Sequence, residues 1–541
     1  MATQLPRPVC GETTREPAPA PAAARADAFG SIDYELVPED EFDALCVEVK
    51  TGDDLESSTT SSRNKYPAKL HARKVAAELG VSDGLIYLPG EPTRLYEDSD
   101  QSPPFKQRRY FYYLTGADFP DCAVTYEIAT DRLTLWIPYV EPRQVLWYGA
   151  TPDAAEAMRS YDVDDVRYTA QLSKFLHGQL RPATTLYILH PDQVPPKLTD
   201  RPRGQTHINY SKLRPAMDQA RVVKTDYEVA LIRRASLISS AAHRAVAERL
   251  LTMRNEQDIE AVLVAECTAR GAHAQAYPII AGAGVNASTL HYDSNDQPLA
   301  GKQLVVVDAG CEWQCYASDI TRTLPISGSF SPEAADIHAI VQRMQDECIA
   351  RIRPGCVFYA LHLHAADVAI RGLLKLGILH GSFDEIQKAG TVAAFFPHGL
   401  GHHVGLEVHD VTGVDRLLMR ESFHIEGGKR EMVTPTTLSA LRRMASAPPP
   451  YRGRQALRPN MIVTVEPGIY FCRPFIEGYF LTNAAHAKFI DRDVLEAYYD
   501  VGGVRIEDDI LVTEDGHENI SAEAPKGEDL LDVINGSFEK I

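Results

Sequence analysis

Apolar and polar positions along this chain change period several times, and each change marks an element. Residues 1–60 show no sustained period, carry Pro17-Ala18-Pro19-Ala20-Pro21 and a Ser-Thr cluster at 57–62, and are expected to be disordered or loosely packed. A short strand near Asp33 to Val37 is the one element expected there. Helical spacing then begins, with a helix through Leu70 to Leu79, a strand at Gly84 to Leu88, and alternating strands at Ala123 to Ile128 and Leu133 to Pro138. That succession predicts an α/β domain over 61–200. Pro195-Pro196, Pro202 and Gly204 punctuate its end, and 201–212 reads as a linker.

A second domain is expected over 213–535. Thr225 and Glu228 have capping-box spacing, and Val229, Ile232, Ala235 and Ile238 follow at helical intervals. Further helices are predicted after Asn255 and at Ser331-Pro332, where serine caps and proline enters the first turn. Apolar strand-like runs alternate with these helices, which predicts curved antiparallel sheet backed by helices. The stretch from about 415 to 450, with Gly427-Gly428-Lys429-Arg430 and Pro448-Pro449-Pro450, reads as a surface insertion.

Composition narrows the class. The 541 residues are 44% hydrophobic and 24% charged, as in soluble globular proteins, and the length calls for two or three domains. A formal charge of −19 argues against general binding to nucleic acid or anionic membranes. The nine cysteines, an odd and scattered set without a Cys-x-x-Cys pair, are expected to be reduced thiols. No apolar run approaches the ~20 residues of a membrane span, and no secretory signal is evident, so a cytoplasmic location is expected.

The chemistry gathers around two carboxylates. Val305-Val306-Val307-Asp308 and Asp319-Ile320-Thr321-Arg322-Thr323 are expected to pair as a hairpin turning at Trp313-Gln314, with Asp308 directly opposite Asp319. Bare carboxylates ~5 Å apart repel by about 3 kcal/mol at an effective dielectric of ~20, so a cation is expected between them. Each acid alone is more often a solvated turn residue. Together with His402, Glu466 before Pro467-Gly468, and Glu507 among Val and Ile neighbours, they match a pair of divalent ions with bridging oxygens. The set predicts a dinuclear hydrolase. Oxygen-rich ligation with one imidazole suits manganese better than a closed zinc site. Gly282-Ala283-Gly284-Val285-Asn286-Ala287 formally fits a dinucleotide fingerprint, but the polar Ser288-Thr289 that follows does not open a helix.

These segments together resemble the aminopeptidase P and prolidase family of pita-bread metallopeptidases, in a fungal type of chain. The carrying motifs are Leu290-His291-Tyr292, Asp308-Ala309-Gly310, Ser318-Asp319-Ile320-Thr321-Arg322-Thr323, His398-Gly399-Leu400-Gly401-His402, Val408-His409-Asp410, Val465-Glu466-Pro467-Gly468 and Arg505-Ile506-Glu507-Asp508-Asp509. The resemblance implies a creatinase-like N-terminal α/β domain followed by a pita-bread domain. It implies two divalent metal ions, with Asp308 on one, Asp319 and Glu507 bridging, and His402 and Glu466 on the other. Glu466 would shuttle the proton of a hydroxide shared by the ions. His291, His398 and His409 would surround the substrate, the last two near the scissile carbonyl or its oxyanion. Arg452 would meet a substrate carboxylate. The implied activity is release of the N-terminal residue from peptides with proline second, in a homodimer or higher homo-oligomer. A prolidase restricted to Xaa-Pro dipeptides is the alternative, because Phe489 to Leu495 resembles the eukaryotic prolidase branch. A non-catalytic pita-bread binding protein is the alternative of another class, disfavoured by the five filled ligand positions.

Overall fold

The computed structural model describes residues 65–180, 184–195, 198, 207–418, 439, 442 and 453–536. The N-terminal extension with its expected strand, most of the 415–450 insertion, and Arg452 lie outside the described residues.

The helix Ala68–Leu79 (α1) buries Ala68, Ala72, Val75 and Leu79 on one face and stops at Gly80, whose left-handed φ of 67° lets its N–H reach the Ala76 and Ala77 carbonyls. Beside it lies a six-stranded sheet built from Leu85–Pro89 (β1), Ala123–Glu127 (β2), Arg132–Ile137 (β3), Asp165–Tyr168 (β4), Thr185–Tyr187 (β5) and His207–Asn209 (β6). The spatial order is β4-β3-β2-β1-β5-β6, with β1, β2 and β3 antiparallel neighbours and the outer pairings parallel. Strand period divides the side chains: Ile86 and Leu88 enter one core with α1, while Leu85 and Tyr87 enter another with Trp136 and Leu176. Both faces of this sheet are therefore covered.

Three predicted caps start three long helices. Thr225 and Glu228 form the reciprocal capping box of Asp226–Arg249 (α3), Asn255 caps Glu256–Ala269 (α4), and the Ser331 hydroxyl accepts from Ala334 N–H at the head of Pro332–Ile349 (α5). Before them, Leu213–Val222 (α2) packs on α1. No helix among the described residues is long and apolar enough to cross a membrane.

Antiparallel sheet fills the second half of the chain. Ala274–Gln275 (β7), Cys311–Trp313 (β10) and Tyr316–Ala317 (β11) form one small sheet, while Ile280–Ala283 (β8), Leu304–Asp308 (β9) and Thr321–Pro325 (β12) form another. Ile462–Val465 (β13), Asp508–Val512 (β16) and His517–Asn519 (β17) make a third, and Gly468–Tyr470 (β14) pairs with Gly503–Arg505 (β15). Along β9, Leu304 and Val306 pack with Phe395, Val463 and Val504, whereas Val305 and Val307 pack with Ala235 and Ile259 of the helices. A 3₁₀ turn, Gly284–Ser288, follows β8 where a dinucleotide fold would open an α-helix.

The hairpin register differs from expectation. The turn falls at Gln314-Cys315, one residue later, so Asp308 lies opposite Thr321 rather than Asp319. A two-residue type I′ turn requires positive φ at both central positions, and Gln314 (47°) and Cys315 (65°) supply it. Trp313 instead stays extended, paired with Tyr316 and lying 5.4 Å below the Arg234 guanidinium. Asp319 reaches Asp308 because the strands close tightly around Gly310, where a Cβ would sit 1.9 Å from the Ser318 carbonyl oxygen.

Gly310→Ala must therefore push the two strands apart, and a loss of about 3 kcal/mol is expected in the urea unfolding free energy. Gly178→Ala, in an exposed helical site with nothing within 4 Å, is expected to leave stability unchanged or raise it by up to ~1 kcal/mol. Equal effects at the two sites would refute the close-approach argument.

Candidate dinuclear metal centre

Asp308 ends β9, Asp319 sits between β11 and β12, and Glu507 lies between β15 and β16, where its N–H donates to the Thr321 carbonyl at 3.0 Å. His402 and Glu466 come from two segments strapped together. Thr464 N–H donates to the His402 carbonyl (2.9 Å), the Thr464 hydroxyl accepts from His402 N–H (3.1 Å), and Glu466 N–H donates to the Leu400 carbonyl (2.8 Å). Gly401 permits that approach, since a Cβ there would meet the Thr464 carbonyl oxygen at 2.1 Å.

Donor atoms from Asp308, Asp319 and Glu507 lie within 4.8 Å of one another, as do donors from His402, Glu466 and Glu507, and from Asp319, His402 and His409. The structure thus gathers all five predicted ligands. Two of the three groups share Glu507, and two share Asp319.

Few protein donors answer this concentration of acceptors. Tyr277 Oη lies 2.6 Å from Asp308 Oδ1 and also contacts Asp319 Oδ1, yet one hydroxyl carries one proton. Arg505 Nη2 donates to Asp308 Oδ2 at 2.6 Å, and the Thr321 hydroxyl donates to Glu507 Oε2 at 2.6 Å. Glu507 Oε1 is buried without any hydrogen-bond partner. His402 Nδ1 faces the His403 carbonyl at 3.1 Å and so carries the proton, which turns the bare lone pair of Nε2 toward Asp319 Oδ2 and Glu466 Oε1, both at 3.4 Å. Lone pairs facing lone pairs in a buried site fit a cation between them.

The protonation balance records the same strain. Burial raises Asp319, Glu466 and Glu507 well above the usual carboxyl range, with Asp308 adding most to Asp319, Glu507 to Glu466, and Asp319 to Glu507. Burial lowers His402. Behind Asp319, the Asp509 carboxylate accepts from Asp319 N–H (3.0 Å) and Ser236 hydroxyl (2.9 Å), and burial pushes it up to about 7.

The other predicted residues flank this cluster. His398 Nδ1 donates to the Gly399 carbonyl (2.8 Å) and Nε2 meets Tyr470 Oη (2.9 Å), so both ring nitrogens are engaged; burial and the Arg505 charge hold it down at about 3. His409 is exposed, its ring centroid 4.3 Å from that of His402. His291 is exposed on the turn after the 3₁₀ segment.

Sequence reasoning assigned no role to Tyr277, Thr321, Tyr470 or Arg505, which supply the donors here. Arg505 stands two residues before Glu507, one strand period away, and that spacing was the available signal. Tyr277 offers none, since it precedes Pro278 outside any regular pattern.

Residues 230–514 match metallopeptidase family M24, and residues 68–187 match the aminopeptidase P N-terminal domain. The chain belongs to metallopeptidase family M24. This M24 member is 62% identical over 520 residues to a probable Xaa-Pro aminopeptidase of Colletotrichum graminicola, a match covering 93% of this chain and 99% of that protein. A probable Xaa-Pro aminopeptidase of Metarhizium acridum is also 62% identical, over 513 residues and the same shares. Among solved structures, Escherichia coli aminopeptidase P in its low-pH form superposes with a TM-score of 0.70 at 25% identity, over 88% of this chain and 99% of that one. The zinc-substituted form in complex with product gives 0.71 at 24% identity, over 88% and 100%. The fold is accordingly the pita-bread fold with an N-terminal domain, and the M24 assignment makes the protein a hydrolase of the divalent-metal class.

Without metal, the raised carboxyls bind protons more tightly in the folded than in the unfolded state, so their contribution to folding stability must fall as pH rises above about 4, while the lowered His398 and His402 work in the opposite direction until unfolded imidazoles are neutral above about 6.5. The melting temperature of chelator-treated protein is therefore expected to drop above about pH 6.5, and Asp319→Asn to flatten that drop. Added divalent metal should raise the melting temperature most at the upper end. A wild-type slope no steeper than that of the variant would remove the cluster as its source.

Proposed function

We propose that the protein is a metallo-aminopeptidase that releases the N-terminal residue from peptides whose second residue is proline. The observation that carries this reading is the clustering of Asp308, Asp319, His402, Glu466 and Glu507 around one patch of unsatisfied lone pairs. Support for the substrate comes from the fungal relatives, which are probable Xaa-Pro aminopeptidases. The same relatives favour it over a dipeptide-restricted prolidase.

In this reading Asp308, Asp319, His402, Glu466 and Glu507 would hold two divalent cations, Asp308 on the side of one, His402 and Glu466 on the side of the other, with Asp319 and Glu507 available to both. The donor set, rich in oxygen with one imidazole, favours manganese. A pair of divalent cations there would bring the pKa of water toward neutrality and polarise a peptide carbonyl. The chain's own residues do the rest. Arg505 and Tyr277 fix Asp308, and Thr321 leaves Glu507 Oε1 free to face the site. Glu466, whose carboxyl pKa is raised by burial and by the neighbouring Glu507, is the carboxylate that takes the proton of the attacking water and delivers it to the proline nitrogen as the bond breaks. That nitrogen has no hydrogen of its own in the peptide, so a proton source beside it is required.

His409, exposed and adjacent to His402, is the histidine proposed to donate to the carbonyl oxygen as it becomes an oxyanion. His398, neutral and engaged at both nitrogens, serves substrate by holding the Tyr470 hydroxyl, while His291 lines the approach. Arg452 is proposed for the substrate carboxylate from the sequence resemblance alone. The chain is proposed to divide into an N-terminal domain over 61–200, a linker over 201–212 and a catalytic domain over 213–535. A cytoplasmic location and a homodimeric or higher assembly complete the reading, on the scattered cysteines and the family resemblance.

With manganese present, Xaa-Pro-Yaa tripeptides are expected to be cleaved with higher kcat/KM than Xaa-Pro dipeptides. Asp319→Asn should lower kcat/KM by at least about a hundredfold, the scale on which even residues supporting metal ligands act. Turnover of dipeptides alone would reverse the substrate assignment, and a fully active Asp319→Asn would sink the metal assignment.

A further inference from the structure

A buried ion cluster outside the metal centre ends on the residue next to His409. Asp410 Oδ1 accepts from Arg221 Nη2 at 2.6 Å, and Oδ2 accepts from Lys224 Nζ at 3.2 Å. The side chains are 2%, 1% and 1% exposed for Arg221, Lys224 and Asp410, so the cluster is fully out of water. Burying two cations against one carboxylate is costly, and hydrophobic groups of the same volume would often stabilise a fold as well or better. Such a cluster calls for a reason beyond stability.

Its position supplies one. Arg221 belongs to α2 and Lys224 to the turn after it, a stretch lying between the two matched family segments, 68–187 and 230–514. The Arg221 guanidinium also lies 4.8 Å over the Tyr110 ring, whose hydroxyl donates to Asp218 Oδ1 at 2.6 Å. Several contacts pin the loop from His403 to Val414, Val404 N–H to the Ile462 carbonyl (3.1 Å) among them. Asp410 N–H donates to the His403 carbonyl (2.8 Å), Ala317 N–H to the Gly405 carbonyl (2.8 Å), and Val414 N–H to Gln219 Oε1 (3.0 Å), while Asp410 itself is clamped by the two cations. Gly405 passes so near the clamp that a Cβ would sit 2.2 Å from Asp410 Oδ2. His409 is exposed and directly precedes Asp410, so the clamp holds the backbone from which its ring reaches His402.

We propose that Asp410, clamped by Arg221 and Lys224, is a positioning residue that sets His409 beside His402, so that the helix before the M24 segment tunes the reaction step. The proposal rests on the reading of His409 as the group that meets the scissile carbonyl. The clamp acts on the geometry of that donor and not on metal retention.

A double-mutant cycle on the manganese-loaded enzyme tests this, using Asp410→Asn, His409→Ala and both together, with Arg221→Lys as a milder change that keeps the buried charge. His409→Ala is expected to lower kcat by about a hundredfold, the scale of one oxyanion donor. Asp410→Asn should lower kcat by about tenfold or more with KM changed by less than about twofold, and Arg221→Lys by less than Asp410→Asn. In the His409→Ala background, Asp410→Asn should cost less than about twofold in kcat, while its loss in melting temperature stays the same in both backgrounds. Metal content should equal that of wild type throughout. Full multiplication of the two kcat losses, or metal loss in Asp410→Asn, overturns the clamp and leaves the His409 reading intact. Wild-type kcat in His409→Ala overturns the reading of His409 and the proposal together.

Discussion

Everything near the centre of this protein answers one electrostatic constraint: Asp308, Asp319, Glu466 and Glu507 converge in a largely buried site, and among the described residues their mutual repulsion is not relieved by protein cations alone. Among the described residues, Arg505 is the guanidinium bonded to one of the four, at Asp308. Tyr277 and Thr321 contribute hydroxyl protons, leaving Glu507 Oε1 with none. A fold optimised for stability alone would not gather such groups, because an unpaired buried carboxylate costs several kcal/mol. The surrounding sheets and helices exist in part to hold them there.

The strand pattern explains how three consecutive acids are buried without unfolding the sheet. Glu507 and Asp509 lie one strand period apart and point toward Asp319, one as a neighbouring carboxylate and the other as acceptor of its N–H. Asp508 points the other way, to Arg322 Nη2 at 2.7 Å and Lys526 Nζ at 2.8 Å, a complete ion pair in the core. Neutralisation on one face of the strand and accumulation on the other are therefore products of the same alternation. Asp508 is neutralised by its ion pairs, Glu507 belongs to the candidate metal centre, and Asp509 accepts from the backbone of Asp319 beside it.

Much of this was legible in the residues, and the failures have local causes. The capping signals at Thr225, Asn255 and Ser331 marked helix starts because the side chain that satisfies the first N–H groups is written in the sequence. The meeting of Asp308 and Asp319 was anticipated through a wrong register, since Gln314 and Cys315 are poor advertisements for a type I′ turn that usually carries Asn and Gly. The Trp313 ring is engaged by Arg234 in the observed register, a tertiary contact that local sequence does not reveal. The donors were hidden for a different reason. A tyrosine or threonine that donates a hydrogen bond to a carboxylate looks, in sequence, like any other strand or turn residue.

The five candidate ligands divide by how they are anchored, and the division bears on how firmly two ions could be spaced. Asp308 and Asp319 hang on strands drawn together at Gly310, whereas His402 and Glu466 hang on segments strapped through Thr464 and Leu400. Glu507 is tied by its own N–H to Thr321, and its carboxylate lies within reach of donors from both pairs. The separation of the two halves is thus fixed by main-chain hydrogen bonds near 3 Å, with short side chains adding little freedom. Long flexible ligands would let each ion relax independently, and a water shared between them would lose its geometry. Aspartate at 308 and 319, in place of glutamate, shortens the lever on the side where the strands are closest, and glutamate at 507 supplies the reach needed to span to the other half.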